Sequence, residues 1–210
     1  MSVKKIYFVR HGEAEGNVGG FTQTPTTPLT EYGRSQAKRV AERFRALPVE
    51  VVLASHMDRA QDTASYIAVE KGLTVETTEF FHEVMRPTSL RGASHESEAY
   101  KDFLSIEAEH YEDPDWRFED GENFSDILAR VTEGVSMLEQ RSEHYVVIVS
   151  HGRLMRFLVS YLLHKKQLTP AIEYMTATSM RAHNTGVTLF ECKGTEWTLI
   201  TWNDTAHFAE

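Results

Sequence analysis

The chain has 210 residues, a length that commonly folds as one α/β domain, and we expect a single domain over residues 1–210. Its formal net charge of −9 leaves no basic surface for a nucleic-acid backbone and would repel an anionic membrane, so we expect neither as a partner. With Cys192 as its only cysteine and no apolar segment typical of a signal peptide at the N-terminus, the sequence indicates a cytoplasmic protein without an intramolecular disulfide.

The first apolar run, residues 6–9, predicts a buried strand that ends at Arg10-His11-Gly12. The polar, glycine-rich stretch 12–20 that follows predicts a loop that can wrap a small anion. Thr30 is the predicted N-cap of the next helix. The apolar face of that helix recurs at helical spacing and stops before Pro48: it comprises Ala37, Val40, Ala41, Phe44 and Leu47.

Residues 51–54 predict a short buried strand, and the following stretch 55–58 has the pattern of a capping box led by Ser55. The helix that it would open should end at Gly72. A further strand near residues 74–78 should lead to Glu83.

The alternation of short strands and helices lapses at about residues 84–123, where acidic residues mix with aromatic ones. We interpret this stretch as a partly helical insertion that lies over the active site, and its acidity suggests that a very highly charged anion is disfavoured.

The alternation resumes after residue 123. Helical spacing is found at residues 127–138, followed by a strand at 145–149 that ends in Ser150-His151-Gly152, and by a helix through 162. Two last strands, 187–191 and 197–202, flank a turn at Gly194 and predict a hairpin. The pattern predicts an α/β fold with helices on both faces of a mostly parallel sheet that the hairpin makes mixed.

Four motifs occur in an order that resembles the histidine phosphatase superfamily, also called phosphoglycerate-mutase-like. They are Arg10-His11-Gly12, Pro28-Leu29-Thr30 with Gly33 and Gln36-Ala37, Ser55 with Arg59-Ala60 and Thr63-Ala64, and Ser150-His151-Gly152. The resemblance implies a three-layer α/β/α sandwich and a phosphomonoesterase that forms a phosphohistidine on His11. It implies a small phosphorylated substrate and no metal or other cofactor.

Two histidines at strand ends of one sheet suggest a single site. A neutral His11 could attack phosphorus if its other ring nitrogen donates to a carbonyl; otherwise it would be an anion-binding or structural histidine. Arg10 and Arg59 can present planar charged forks to phosphate oxygens, although Arg59 alone would suggest a solvated helix residue. His151 would donate to a phosphate oxygen from a helix N-terminus, where an isolated histidine would more often serve a turn.

Three further residues complete the predicted site. Gly152 accompanies His151 as a phosphate-binding residue, and Asn17 resembles the family asparagine that contacts the phosphoryl group, with a turn former as its alternative. Glu83 is the predicted general acid, which would protonate the leaving alkoxide and then activate water. Glu76 and Glu79 remain alternative acids because they lie nearby in the sequence.

Other functions compete with the phosphatase. A phosphoglycerate mutase must hold a second anionic group, and the expected Arg/Tyr-rich segment is not visible in residues 84–120. A phosphate-binding protein could retain the pocket without turnover. A metallohydrolase is less favoured, because no clustered His/Asp ligand set accompanies His11 and His151. The sequence assigns neither an individual substrate nor an oligomeric state.

Overall fold

A mixed sheet of six strands forms the centre of the protein. The computed structural model describes residues 2–209. The strands are β1 (Lys4–Arg10), β2 (Val51–Ser55), β3 (Val75–Thr78), β4 (Tyr145–Ser150), β5 (Val187–Lys193) and β6 (Glu196–Asp204). They lie in the order β3-β2-β4-β1-β5-β6. Strand β1 pairs in parallel with β4, which pairs in parallel with β2, and β2 with β3, whereas β5 is antiparallel to both β1 and β6.

Helices cover both faces of the sheet. They are α1 (Glu15–Gly19), α2 (Glu31–Phe44), α3 (Asp58–Lys71), α4 (Glu98–His110), α5 (Phe124–Gln140), α6 (Gly152–His164) and α7 (Pro170–Ser179). Because side chains alternate along a strand, Ile6 and Phe8 pack into a core with α5 and α6, whereas Tyr7 and Val9 pack into a second core with α2 and α3. The predicted fold class, a three-layer α/β/α sandwich with a mostly parallel mixed sheet, is confirmed.

Local signals located most elements correctly. Thr30 caps α2 by accepting a hydrogen bond from Gly33 N, as predicted. Gly72 ends α3 in the left-handed conformation, with φ of 65°. The hairpin of β5 and β6 turns at Gly194, which also has φ of 65°. These are positions where side-chain caps or glycine freedom fix the chain locally.

The structure differs from the predicted elements in four places. The stretch 12–20 contains the short helix α1, and α2 ends at Phe44, so that Leu47 packs from beyond the helix. Helix α7, which begins with Thr169 as N-cap and Pro170, was not predicted. The predicted capping box at Ser55 is wrong: Met57 is the N-cap of α3, and the Ser55 hydroxyl binds His151 instead.

The segment 84–123 is partly helical, with a 3-10 turn at Thr88–Leu90 and helix α4. Phe103 is its buried anchor, and the guanidinium carbon of Arg86 lies 4.8 Å from the centre of the Phe103 ring. Between residues 2 and 209, no helix combines the length and the apolar character needed to cross a membrane.

Candidate active site

The candidate site lies where β1, β4 and β2 end side by side. Arg10 of β1 is in register with Ser150 of β4, and the His11 backbone N–H donates to Ser150 O at 2.9 Å. The next residues along the two parallel strands, His11 and His151, therefore come together, with ring centroids 5.1 Å apart. Carboxyl ends of parallel strands are where open α/β sheets bind ligands.

The loop after β1 is held against α2 and α3 by backbone hydrogen bonds. Gly12 N donates to Thr63 Oγ1 at 3.0 Å, and Glu13 N donates to Gln36 Oε1 at 2.7 Å. A Cβ atom at Gly33 would lie 1.9 Å from Glu13 O, so only glycine allows α2 to approach this closely. These contacts give a structural role to four motif residues that carry no titratable group, Gly12, Gly33, Gln36 and Thr63.

His11 is buried, and its surroundings determine which ring nitrogen carries the proton. Its Nδ1 lies 2.6 Å from Gly12 O, an acceptor, so the proton resides on Nδ1 and Nε2 carries the lone pair. Arg59 Nε donates to His11 Nε2 at 3.3 Å. Burial, and then the charges of Arg59 and Arg10, lower the pKa of His11 well below its ordinary value of 6.5. The imidazole is therefore a neutral base that faces cations.

Two arginines flank the histidine pair. Arg59 is 2% exposed and donates from Nη1 to Thr24 O at 2.8 Å, and burial lowers its pKa to about 10. Arg10 donates from Nη1 to Ala182 O at 2.6 Å, while its buried Nε has no hydrogen-bond partner among the described residues. A buried donor without a partner costs free energy and calls for an explanation.

His151 caps α6 and contacts Ser55. Its Nε2 lies 2.6 Å from Ser55 Oγ, which also accepts a hydrogen bond from Met57 N at 3.3 Å. The hydroxyl hydrogen is therefore available to donate to Nε2, which favours the proton on Nδ1. Within residues 2–209, that buried Nδ1 finds no partner. Burial, and then the charges of Arg59 and His11, lower the pKa of His151 well below 6.5.

Glu83 reaches the N-terminus of α6. Its Oε1 accepts hydrogen bonds from Val84 N at 2.9 Å and Leu154 N at 3.0 Å, and its Oε2 accepts one from Arg153 N at 3.2 Å. The alternative acids lie elsewhere: Glu76 pairs with Arg141 and Glu79 with His56. Neither Glu76 nor Glu79 lines the pocket described next.

A pocket of about 660 Å³ opens over these residues. Of the predicted site residues, Arg10, His11, Asn17, Arg59, Glu83 and Gly152 line it. His151 lies immediately behind, with no exposed surface. Asn17 Oδ1 accepts hydrogen bonds from Ala14 N at 2.9 Å and Asn184 Nδ2 at 3.3 Å, so this residue shapes the turn as well as facing the pocket.

The pocket is strongly basic. Its lining includes seven arginines: Arg10, Arg59, Arg86, Arg91, Arg153, Arg156 and Arg181. Among described lining residues, Glu83 is the one carboxylate. The arrangement can bind a phosphate dianion with its cations, present a neutral imidazole to phosphorus and bring a carboxyl group near the same point.

Comparison with known proteins identifies the family. The family model described as "Histidine phosphatase superfamily (branch 1)" matches residues 6–205. The chain belongs to this superfamily. It is 31% identical over 169 residues to the adenosylcobalamin/alpha-ribazole phosphatase of Salmonella typhimurium, covering 76% of this chain and 79% of that protein. It is also 31% identical over 165 residues to a probable phosphoglycerate mutase of Enterobacter sp., covering 76% and 74%.

Solved structures agree with the assignment to the histidine phosphatases. A mycobacterial glucosyl-3-phosphoglycerate phosphatase complexed with VO3 has a TM-score of 0.78 and 27% identity, covering 96% of this chain and all of that one. A protein described as mycobacterial hydrolase 1 has a TM-score of 0.81 and 26% identity, covering 97% and 99%. At the level of family and reaction class, the prediction of a phosphoric monoester hydrolase of the histidine phosphatase type is confirmed.

Several residues of this histidine phosphatase pocket were not predicted. The sequence pattern predicts a helix cap at Ser55, but this buried residue ends β2 and contacts His151 behind the pocket, and its place at a strand end was the signal for the site. Arg153 and Arg156 follow Ser150-His151-Gly152 within the first two turns of α6 and could have been found from that spacing. Arg86 and Arg181 come from irregular segments that carry no such signal.

The acidic composition of segment 84–123 did not predict the side chains that it turns toward the pocket. Those are Val84, Met85, Arg86, Arg91, His95 and Tyr100. Glu96, Glu98 and Glu109 are exposed. The bulk acidity of the segment therefore does not argue against an anionic ligand. In residues 2–209, no group of three or more His, Cys, Asp or Glu side chains is placed to hold a metal ion.

We expect the free energy of unfolding to fall as the pH decreases below about 6.5. The pKa of His11 and that of His151 are both depressed in the folded protein, so below 6.5 the unfolded chain binds protons that the folded chain does not. Each group should contribute about 1.4 kcal/mol per pH unit until its folded pKa is reached. Urea unfolding of wild type and His11→Asn between pH 7 and 5 measures this slope.

His11→Asn should reduce the pH slope of the free energy of unfolding by the contribution of one proton, about 1.4 kcal/mol per pH unit. Asn17→Ala, which removes no titrating group from the same loop, should shift the curve without changing its slope. A His11→Asn slope equal to that of the wild type would show that His11 is not held neutral by the fold.

Proposed function

We propose that this protein hydrolyses small phosphate monoesters through a phosphohistidine formed at His11 Nε2. The observation that carries the proposal is the hydrogen bond between His11 Nδ1 and Gly12 O at 2.6 Å, which leaves Nε2 unprotonated. A depressed pKa keeps the ring neutral at physiological pH, as a nucleophile requires.

In the first step, His11 Nε2 attacks phosphorus as the bond to the ester oxygen breaks. Arg59 Nε lies 3.3 Å from the attacking nitrogen, and the His151 ring lies beside the His11 ring. Arg10 Nε and His151 Nδ1, which have no hydrogen-bond partner among residues 2–209, would each donate to a phosphoryl oxygen. Such donors stabilise charge on the equatorial oxygens of the transition state. Glu83 would give its proton to the departing alkoxide, so an alcohol leaves.

In the second step, the ionised Glu83 would take a proton from water as the water oxygen attacks phosphorus. The N–P bond breaks, its electron pair returns to Nε2, and inorganic phosphate is released. Glu83 is then protonated again for the next cycle. Backbone N–H groups at the start of α6 hold this carboxylate at the pocket edge throughout.

The proposed reaction needs no metal ion. Two guanidinium groups and an imidazole N–H supply the charge stabilisation that divalent cations give other phosphatases. We further propose that the chain acts as one cytoplasmic domain in which segment 84–123 covers the pocket. Arg86, Arg91 and Tyr100 of that segment would contact the alcohol part of the substrate.

The proposal predicts a phosphorylated enzyme on the reaction pathway. Rapid quench with a ³²P-labelled phosphomonoester should trap label on the protein, because the N–P bond must form before water attacks. The label should be lost in acid and survive alkali, and peptide analysis should locate it at His11. Dialysis against a strong chelator beforehand should leave the burst amplitude unchanged.

Two controls give the labelling its meaning. His164→Ala, at the far end of α6, should label like wild type, whereas His11→Ala should not label. Acid-stable label, or label that persists in His11→Ala, would exclude the proposed intermediate. A burst that disappears on chelation and returns with zinc or magnesium would support a metallohydrolase instead.

A mutase is the second candidate, and the arginines of the outer pocket favour it. Arg91 and Arg181 lie among lining residues beyond the histidine pair and could hold a second anionic group. The labelled phosphoenzyme distinguishes the two reactions when it is offered an acceptor such as a phosphoglycerate. Transfer to the acceptor faster than release of inorganic phosphate would indicate a mutase, and release to water a phosphatase.

A further inference from the structure

Segment 84–123 and α6 form a wall between the basic pocket and a second cavity. The second cavity has a volume of about 340 Å³ and is lined largely by aromatic and apolar side chains of α4, α5 and α7. Residues shared by both linings make up the wall: Val84, Met85, Arg86, Arg153 and Arg156. Two of its arginines share one carboxylate that reaches them from the second cavity.

That carboxylate belongs to Glu107 of α4. Arg86 Nη1 lies 2.8 Å from Glu107 Oε1, and Arg153 Nη2 lies 3.3 Å from the same oxygen. Burial acts to raise the pKa of Glu107, but the charges of Arg153 and Arg86 outweigh it and lower that pKa below the ordinary value. Glu107 is therefore ionised and makes the contacts that an anionic group of a ligand would make.

The position of Glu107 distinguishes it from the other acids of the segment. Its side chain is 27% exposed, compared with 89% for Glu96, which pairs with Lys101 on the surface. Ion pairs at exposed positions such as that of Glu96 contribute little to stability. A partly buried carboxylate between two guanidinium groups strongly affects the electrostatic potential at a bound substrate.

We propose that Glu107 is a specificity-determining residue that occupies, as an internal counter-ion, the Arg86–Arg153 subsite and so discriminates against substrates whose alcohol part carries a second anionic group. This inference rests on the proposed phosphatase function. A substrate anion near the wall must displace the Glu107 carboxylate or meet its repulsion, whereas a neutral alcohol does neither. Selectivity of this kind depends on a repulsive element as well as an attractive one.

The test compares phenyl phosphate with 4-carboxyphenyl phosphate, which differ by one carboxylate. In Glu107→Gln, which keeps an oxygen acceptor but removes the charge, the kcat/KM for the carboxylated ester relative to phenyl phosphate should rise about tenfold or more. The rise should shrink at high ionic strength. Glu109→Gln, an exposed charge change on the same helix, should keep the wild-type ratio.

Combining Glu107→Gln with Arg86→Gln should reverse most of the gain, because the freed guanidinium is then absent. If Glu107→Gln does not fold, Glu107→Asp, which withdraws the charge by one methylene, should change the ratio in the same direction by less. An unchanged ratio in a folded Glu107 variant that still hydrolyses phenyl phosphate overturns this inference and leaves the phosphatase intact.

A binding measurement separates this result from a failure of the proposed function. In a His11→Ala background, calorimetry should show the same shift in the ratio of dissociation constants for the two esters when Glu107→Gln is added. Absence of hydrolysis in wild type with this binding shift present would contradict the phosphatase but support the role of Glu107. Equal ratios with and without Glu107→Gln would overturn the inference whatever the activity.

Discussion

His11→Ala is expected to lower kcat on a phosphomonoester by a factor on the order of 10⁴ or more, the scale seen when a covalent nucleophile is removed from other hydrolases. The physical reason is that the pocket holds His11 Nε2 between cations with its lone pair free of a proton. The side-chain oxygens of Ser55 and Glu83 should not replace the lost nucleophile. The Ser55 hydroxyl is hydrogen-bonded to His151, and the Glu83 carboxylate accepts a hydrogen bond from the α6 N-terminus. Steady-state kinetics of wild type and variant measure the loss.

His11 is also a buried residue, so its replacement needs a readout that structural damage cannot imitate. Added imidazole should restore part of the lost rate if the missing group is the nucleophile, and should not restore it if the pocket has collapsed. His164→Ala, at the opposite end of α6, should remain as active as wild type. A His11→Ala rate within tenfold of wild type would show that another group attacks phosphorus.

The sheet and the histidine pair could be predicted because their signals are local. Residues 6–9 and 145–149 are short buried strands, and one residue separates each from a histidine, so parallel pairing alone brings His11 and His151 together. Arg59 follows for the same reason, since α3 begins just after β2 ends beside β4. In these cases a position along the chain determines a position at the sheet edge.

The outer pocket could not be predicted, because it depends on which face of a segment turns inward. Arg86 and Glu107 are 21 residues apart, and they come into contact because Arg86 packs on the ring of Phe103, which lies one turn before Glu107 in α4. In the composition of the segment, Glu98 and Glu107 are equivalent acidic residues. In the structure, Glu98 is exposed, whereas Glu107 pairs with two arginines. Ser55 was misassigned because its short side chain fits both a helix cap and a contact with His151, and only the tertiary structure distinguishes them.

The sequence predicts Glu83 as the acid, with Glu76 and Glu79 as alternatives, and the three carboxylates lie in different places in the structure. Glu83 lines the pocket, whereas Glu76 and Glu79 pair with Arg141 and His56 away from it. Yet Glu83 also accepts backbone hydrogen bonds that help to cap α6, so loss of activity in a variant could reflect either chemistry or structure. A useful experiment must therefore respond to proton donation alone.

We expect Glu83→Gln to lower the rate of phosphoenzyme formation from alkyl phosphates by a factor on the order of 100 or more, the usual scale of general acid–base catalysis. An alkoxide has a high pKa and needs a proton as its bond to phosphorus breaks, and an amide cannot supply one. Nitrophenolate departs without a proton, so the same step with a nitrophenyl ester should slow far less. Rapid-quench measurement of the burst with both esters tests the difference.

The burst must be measured because steady-state turnover would hide the contrast. The same carboxylate is proposed to activate water in the second step, so dephosphorylation should limit Glu83→Gln with either ester. Glutamine keeps an oxygen that can accept the N–H groups of Val84 and Leu154, which preserves part of the α6 cap. Glu79→Gln, the matched exposed change, should leave both bursts at wild-type rates. If Glu83→Gln slows the burst equally with the two esters, its role is structural, because a distorted α6 would affect both leaving groups alike.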